Sequence, residues 1–136
     1  ISYTGNNRTH MIRIPDPGRF ELRLMDGSAN HYLLQASVLA AGINGIKNKI
    51  DPGKPLNCNM YEDFAKYPNL PKLPDELDQS LKQLKQNKEM NDAFGTEVIN
   101  SYIKLRATEI KEFNNIERFD KSKRITKWER QNTLDC

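Results

Sequence analysis

Residues 1–26 alternate in character instead of cycling. In Phe20-Glu21-Leu22-Arg23-Leu24 every apolar residue is separated from the next by a charged one, and Met11-Ile12-Arg13-Ile14 sets one arginine into an apolar run. A period of two marks a β-strand with unlike faces. Between the runs stands Pro15-Asp16-Pro17-Gly18, which suits a tight connection and not the middle of a ladder. The economical reading is a β-hairpin. Arg19, Glu21 and Arg23 then project from one side, with Arg13 joining them if the register allows. Phe20, Leu22 and Leu24 project from the other side, which is expected to be the core.

The period changes after Asp26. Asp26-Gly27-Ser28-Ala29-Asn30 reads as a turn whose final Asn can cap a helix, expected from His31 to about Ile50. Leu34, Val38, Leu39, Ala41, Ile43 and Ile46 cover most of that helix's circumference, which predicts packing on more than one side. Pro52, Pro55, Pro68, Pro71 and Pro74 divide the next stretch into pieces too short for regular elements, so it reads as a wrapping loop. Leu77, Leu81 and Leu84 recur on a short amphipathic helix with an acidic opening at Asp75, Glu76 and Asp78, in a region ended or interrupted by Gly95. The longest helix is expected from Thr96, as N-cap, to about Phe119, with a stripe of Ile99, Tyr102, Ile103, Ile110 and Phe113. A last short helix, or a tail docked by Trp128, follows with Ile125 and Leu134. The fold class is α+β: an N-terminal β-hairpin followed by a mostly helical C-terminal half.

With 37% hydrophobic and 29% charged residues the chain suits a globular protein, and no stretch approaches the roughly 20 apolar residues that span a bilayer. The net charge of +3 is mild and acidic residues are interspersed, which argues against a nucleic-acid partner. Arg118, Lys121, Lys123, Arg124, Lys127 and Arg130 are interrupted by Asp120 and Glu129 and read as a solvated face or an oligomer contact. Cys58 and Cys136 lack metal or disulfide spacing and read as free thiols, which suits a cytoplasmic location. The opening Ile1-Ser2-Tyr3 has neither an initiator Met nor a secretory signal, and the chain reads as cut from something longer. His10 has no second ligand at metal spacing and is expected to be structural. Trp128 is expected to be a packing anchor.

The charged hairpin face admits two readings. An antiparallel sheet with one wet side often displays Arg and Glu in weak mutual pairs. The alternative is a polyanion site, since guanidinium forks match carboxylate and phosphate oxygens and one carboxylate among them could hold a divalent cation.

Several ordered motifs bear on that choice. Asn7-Arg8-Thr9, four residues, then Arg13-Ile14-Pro15 resembles a segment of the glutamine synthetase family, as does the Arg19-Phe20-Glu21-Leu22-Arg23 strand. Asn30-His31-Tyr32-Leu33 is similar to that family's Asn-Pro-Tyr-Leu helix start, and residues 40–49 to its continuation. Leu73-Pro74-Asp75-Glu76-Leu77 and the helix from Thr96 fit later segments, and Trp128-Glu129-Arg130 with Thr133-Leu134-Asp135-Cys136 resembles the type III or γ-glutamylmethylamide synthetase-like branch. The resemblance spans residues 1–136. It implies the C-terminal part of a catalytic domain, with the hairpin in a curved sheet and with the N-terminal β-grasp domain and first part of the catalytic domain absent.

The resemblance implies an ATP-dependent glutamate–ammonia ligase acting through γ-glutamyl phosphate, with the segment inactive alone. Glu21 would be a Mg²⁺ or Mn²⁺ ligand and Arg23 would contact glutamate and the phosphoryl group. Arg8 would sit on the transferring phosphate, between nucleotide and substrate, Arg13 on the nucleotide phosphates and Arg19 on the nucleotide side. The implied assembly is a homo-oligomer of stacked rings, a dodecamer, in the cytoplasm. The alternatives are a γ-glutamylamide synthetase using methylamine or another alkylamine, and a non-catalytic phosphate-binding or oligomerisation module. Two departures stand out. The loop between Ile14 and Arg19 is shorter than in many relatives, which leaves a further lysine contact to nucleotide unassigned. His31 stands where relatives usually carry Pro at the first helical position, which should cost a little stability and no function.

Overall fold

The computed structural model describes residues 1–116 and 125–133. The expectations that fall on Arg118, Phe119, Lys121, Lys123, Arg124, Leu134 and Cys136 lie outside the described residues. The fold is α+β and divides into two compact units: Ile1–Asp26 with Asp51–Leu73, and Gly27–Ile50 with Pro74 onward.

The first unit holds a three-stranded sheet in the order β1 (Tyr3–Thr4), β2 (Ile12–Asp16), β3 (Arg19–Leu22). The predicted hairpin is β2–β3, antiparallel, with Arg13 opposite Glu21 and Asp16 opposite Arg19. Pro17 and Gly18 alone make the turn, and Gly18 sits at φ 77°, a conformation that only Gly adopts without strain. Pro15 is in the strand after all. The register shifts between Arg13 and Asp16, so that two residues of β2 oppose one of β3, and this irregularity accommodates a residue with no amide hydrogen. The short β1 lies within the alternating stretch, but its parallel pairing to β2 goes beyond the expected hairpin.

Alternation identified the faces correctly, but the expectation that Phe20, Leu22 and Leu24 form a core is corrected. Phe20 is 62% exposed, Leu24 42% and Ile14 38%. An apolar strand face becomes a core only where another layer covers it, and no such layer lies on it within this unit.

The wrapping stretch does wrap: the Leu56 amide donates to the Tyr3 carbonyl (3.0 Å) and the Tyr3 hydroxyl to the Gly53 carbonyl (2.7 Å). It is not wholly irregular. Asn59 caps a one-turn helix α2 (Met60–Asp63), which continues as a 3₁₀ turn, Phe64–Lys66.

The second unit is helical: α1 (His31–Lys47), α3 (Leu77–Gln86), α4 (Lys88–Phe94), α5 (Thr96–Ile116) and α6 (Lys127–Asn132). The Asn30 side chain accepts from the Leu33 amide (3.0 Å), as its position predicted. The region before Gly95 is two helices, because Asn87 ends α3 and caps α4, its side chain accepting from the Met90 amide (2.8 Å). Thr96 is the first helical residue and not the cap. Gly95, at φ 84°, takes that place, and its carbonyl accepts from the Ile99 amide (3.2 Å).

The apolar centre of this unit lies where α3 and α4 meet α5, with Leu81 and Ile99 buried. Expected packing on several sides of α1 is corrected. The helix rests mainly on α4, and Tyr32, Leu39, Ile43 and Ile46 are exposed. Trp128 is a packing anchor, its ring edge-on to Phe113 with centroids 5.6 Å apart. A capping box sets the start of α6: Thr126 Oγ1 accepts from the Glu129 amide (3.1 Å) and the Glu129 carboxylate from the Thr126 amide (2.7 Å). No helix of the described residues is long and apolar enough to cross a membrane.

Candidate active site

The charged face of the hairpin is built by strand parity and register. Arg19 and Glu21 are two residues apart on β3, Arg23 follows just beyond it, and Arg13 stands directly across from Glu21 on β2. The four side chains converge. Arg13 Nη1 donates to both Glu21 oxygens (2.8 and 2.7 Å), and Arg19 Nη2 donates to Oε1 (2.8 Å). Arg23 Nη1 lies 3.7 Å from Oε2, an ion pair without a hydrogen bond.

Arg13 is the anchored member. Its side chain is 12% exposed, against 62% for Arg19, and both its Nε (2.9 Å) and its Nη2 donate to Asn6 Oδ1. Hydrogen bonding from Arg13 is the main reason the Glu21 carboxyl is held below its ordinary value of 4.5. Partial burial pushes the other way, and the charge of Arg13 and the contacts of Arg19 add to the lowering. Glu21 is therefore ionised at neutral pH, and three guanidinium groups around one carboxylate leave a local formal charge of +2.

Arg8 stands apart from this group, on the turn that follows β1. Its side chain is exposed and makes no ion pair or hydrogen bond among the described residues. The residues on either side of it are held. Asn7 Oδ1 accepts from the Thr9 amide and hydroxyl (both 2.9 Å), and Asn7 Nδ2 donates to the Cys58 carbonyl (2.9 Å). His10 is structural, as expected. Its Nε2 lies 2.9 Å from the same carbonyl, which can only accept, so Nε2 carries the proton and Nδ1 accepts from the Ser2 hydroxyl (3.0 Å). Asn6, Asn7 and Thr9 were not recognised as supports from the sequence, although Asn two residues before Thr is an Asx-turn signal.

An exposed cationic face with planar forks can bind a polyanion, and its single carboxylate can give one hard oxygen ligand to a divalent cation. Among the described residues no three His, Cys, Asp or Glu side chains gather as a metal site. A carboxylate such as Glu21 suits a hard divalent cation as a single ligand, and here both of its oxygens already accept from arginine.

A family model described as the glutamine synthetase catalytic domain matches residues 1–133. The chain belongs to this family. It is 44% identical over 135 residues to a glutamine synthetase of Rhizobium meliloti, covering 99% of this chain and 29% of that protein. It is 40% identical over 119 residues to a glutamate–methylamine ligase of Methyloversatilis universalis, covering 83% of this chain and 26% of that one. A solved structure described as a GmaS/ADP complex aligns with a TM-score of 0.79 at 38% identity, over 99% of this chain and 29% of that one. The chain thus spans under a third of the length of these glutamine synthetase relatives, and within that span it carries the arginine-flanked Glu21 strand.

Proposed function

We propose that this chain supplies the phosphate-handling arginines of a glutamine synthetase, a ligase that forms glutamine from glutamate, ammonia and ATP. The observation that carries the reading is the convergence of Arg13, Arg19 and Arg23 on Glu21 across one face of a hairpin. Phosphoryl transfer is chiefly positioning and charge neutralisation, which a cluster of fixed guanidinium groups provides. Arg13, held by Asn6, and the more exposed Arg19 take the nucleotide phosphates. Arg8 takes the phosphoryl group in transit to the glutamate γ-carboxylate. Arg23, whose guanidinium has no hydrogen bond to Glu21, is free to engage glutamate and the γ-glutamyl phosphate formed from it. Ammonia then attacks the activated acyl carbon and phosphate leaves. Glu21 would give one ligand to Mg²⁺ or Mn²⁺, which would supply neutralisation of phosphate charge. The whole protein works in the cytoplasm as a homo-oligomer of stacked rings, and the segment is inactive by itself.

In the full-length protein Arg23→Ala should lower glutamate-dependent phosphate release by about a hundredfold or more, the usual effect of losing one oxyanion donor. Release at the wild-type rate would sink the assignment. A second reading keeps the cluster and changes the amine. It is favoured by the 40% identity to a glutamate–methylamine ligase and by the likeness to GmaS structures. Phosphate release by the full-length enzyme, driven by ammonium and by methylamine in parallel, separates the two.

A further inference from the structure

Arg8 is the one exposed residue of 7–10, and each of its neighbours is tied down. The ties form a chain of polar groups. The Met60 amide donates to Thr9 Oγ1 (3.0 Å), the Thr9 hydroxyl donates to Asn7 Oδ1, and Asn7 Nδ2 donates to the Cys58 carbonyl. His10 Nε2 donates to that carbonyl from the other side of the turn. Residues 58–60 thus grip the turn at Asn7, Thr9 and His10 while making no hydrogen bond or ion pair with the Arg8 side chain. His10 is buried and Asn7 and Thr9 are half-buried, so these bonds also meet the fold's own need to pair groups withdrawn from water. Beyond that need, the bracing fixes the backbone from which one long cationic side chain departs, so that less freedom remains to be lost when it closes on an anion.

We propose that Asn7, acting with Thr9 and the Cys58–Met60 backbone, is a positioning residue for Arg8 in phosphoryl transfer. The proposal rests on the role given to Arg8 above. Asn7 suits the task because one side chain must accept twice and donate once. Asp keeps the acceptors but turns an oxygen toward the Cys58 carbonyl, and Ala has neither function.

The test is a mutant cycle in the full-length enzyme, read as kcat and KM for ATP and glutamate. Asn7→Ala should lower kcat by about tenfold to a hundredfold, the scale of a small misplacement of a reacting group, with both KM values within about threefold of wild type. In an Arg8→Lys background, where a flexible ammonium replaces the fork, the same change should cost no more than about threefold. Thr9→Val should behave like Asn7→Ala, and Thr9→Ser, which keeps the hydroxyl, should restore activity. The proposal is overturned if Asn7→Ala lowers kcat equally in both backgrounds, or leaves it unchanged. Should Asn7→Ala fail to fold, the Thr9→Val and Thr9→Ser pair in the two backgrounds decides by the same criterion. Wild-type activity in Arg8→Ala would instead remove the role of Arg8 itself, a separate outcome from an active Asn7→Ala beside an inactive Arg8→Ala.

Discussion

Replacing Glu21 by Gln changes charge almost without changing shape, and the geometry predicts opposite effects on two kinds of binding. Glu21 accepts from Arg13 with both oxygens and from Arg19 with one, and Arg23 is paired to it by charge. An amide keeps one acceptor and presents a donor where the other stood, so it must release part of the cluster. The local formal charge rises from +2 to +3. For a phosphate resting on the exposed arginines, removing a negative charge about 6 Å away at a partly solvated site should tighten binding roughly threefold to tenfold. With metal present the sign reverses. Loss of one charged ligand should lower Mg²⁺- or Mn²⁺-dependent turnover by about a hundredfold or more. The assay is ATP binding to the full-length protein in chelator, beside phosphate release in saturating metal. If Gln at this position weakens both, Glu21 is a structural tie for the arginines. If metal-dependent turnover is unaffected, it is not a metal ligand, and the reasoning from cluster to ligase fails.

Other consequences are open to simpler measurements. Gly18→Ala meets no neighbouring atom but must hold φ 77°, so it should cost about 1 kcal/mol, read as an earlier midpoint in urea. Leu81 is 7% exposed, and Leu81→Ala should cost about 2–4 kcal/mol, with thermal unfolding of the helical unit shifted to match. The Glu129 carboxyl is held below 4.5, first by the Thr126 amide and then by its hydroxyl, against the push of burial. A lowered folded value means that its stabilisation is complete above about 4.5 and fades as pH falls through the lower one. Trp128 fluorescence should therefore report loosening of α6 on acidification, and Thr126→Ala should raise the pH at which it begins.

The sequence announced its structure best where a pattern repeats or a cap has its own chemistry. Residues 19–24 named the two faces of β3, Asn30 named the start of α1, and the apolar stripe from Ile99 to Phe113 named α5. The two residues of β1 are too few to show a period of their own, and alternation does not say that they pair parallel to β2. Pro15 argued against a strand, and a local register shift answered the objection. Asn87 carried a legible helix-start signal that the leucine spacing of α3 overshadowed. What alternation cannot reveal is whether anything lies against an apolar face, which is why Phe20 and the outer side of α1 were misjudged. At the candidate site the arginines and Glu21 were readable from spacing, whereas Asn6 acts on Arg13 from the loop before β2 and Asn7 through a contact with Cys58, 51 residues along the chain.

A sheet side that shows Phe20, Leu24 and Ile14 to water has a practical meaning at the bench. Prepared by itself, this polypeptide should light up hydrophobic dyes such as ANS and scatter light increasingly as it is concentrated. A charged substitution at Phe20, directed away from the arginines, would make it easier to keep in solution for work on nucleotide binding.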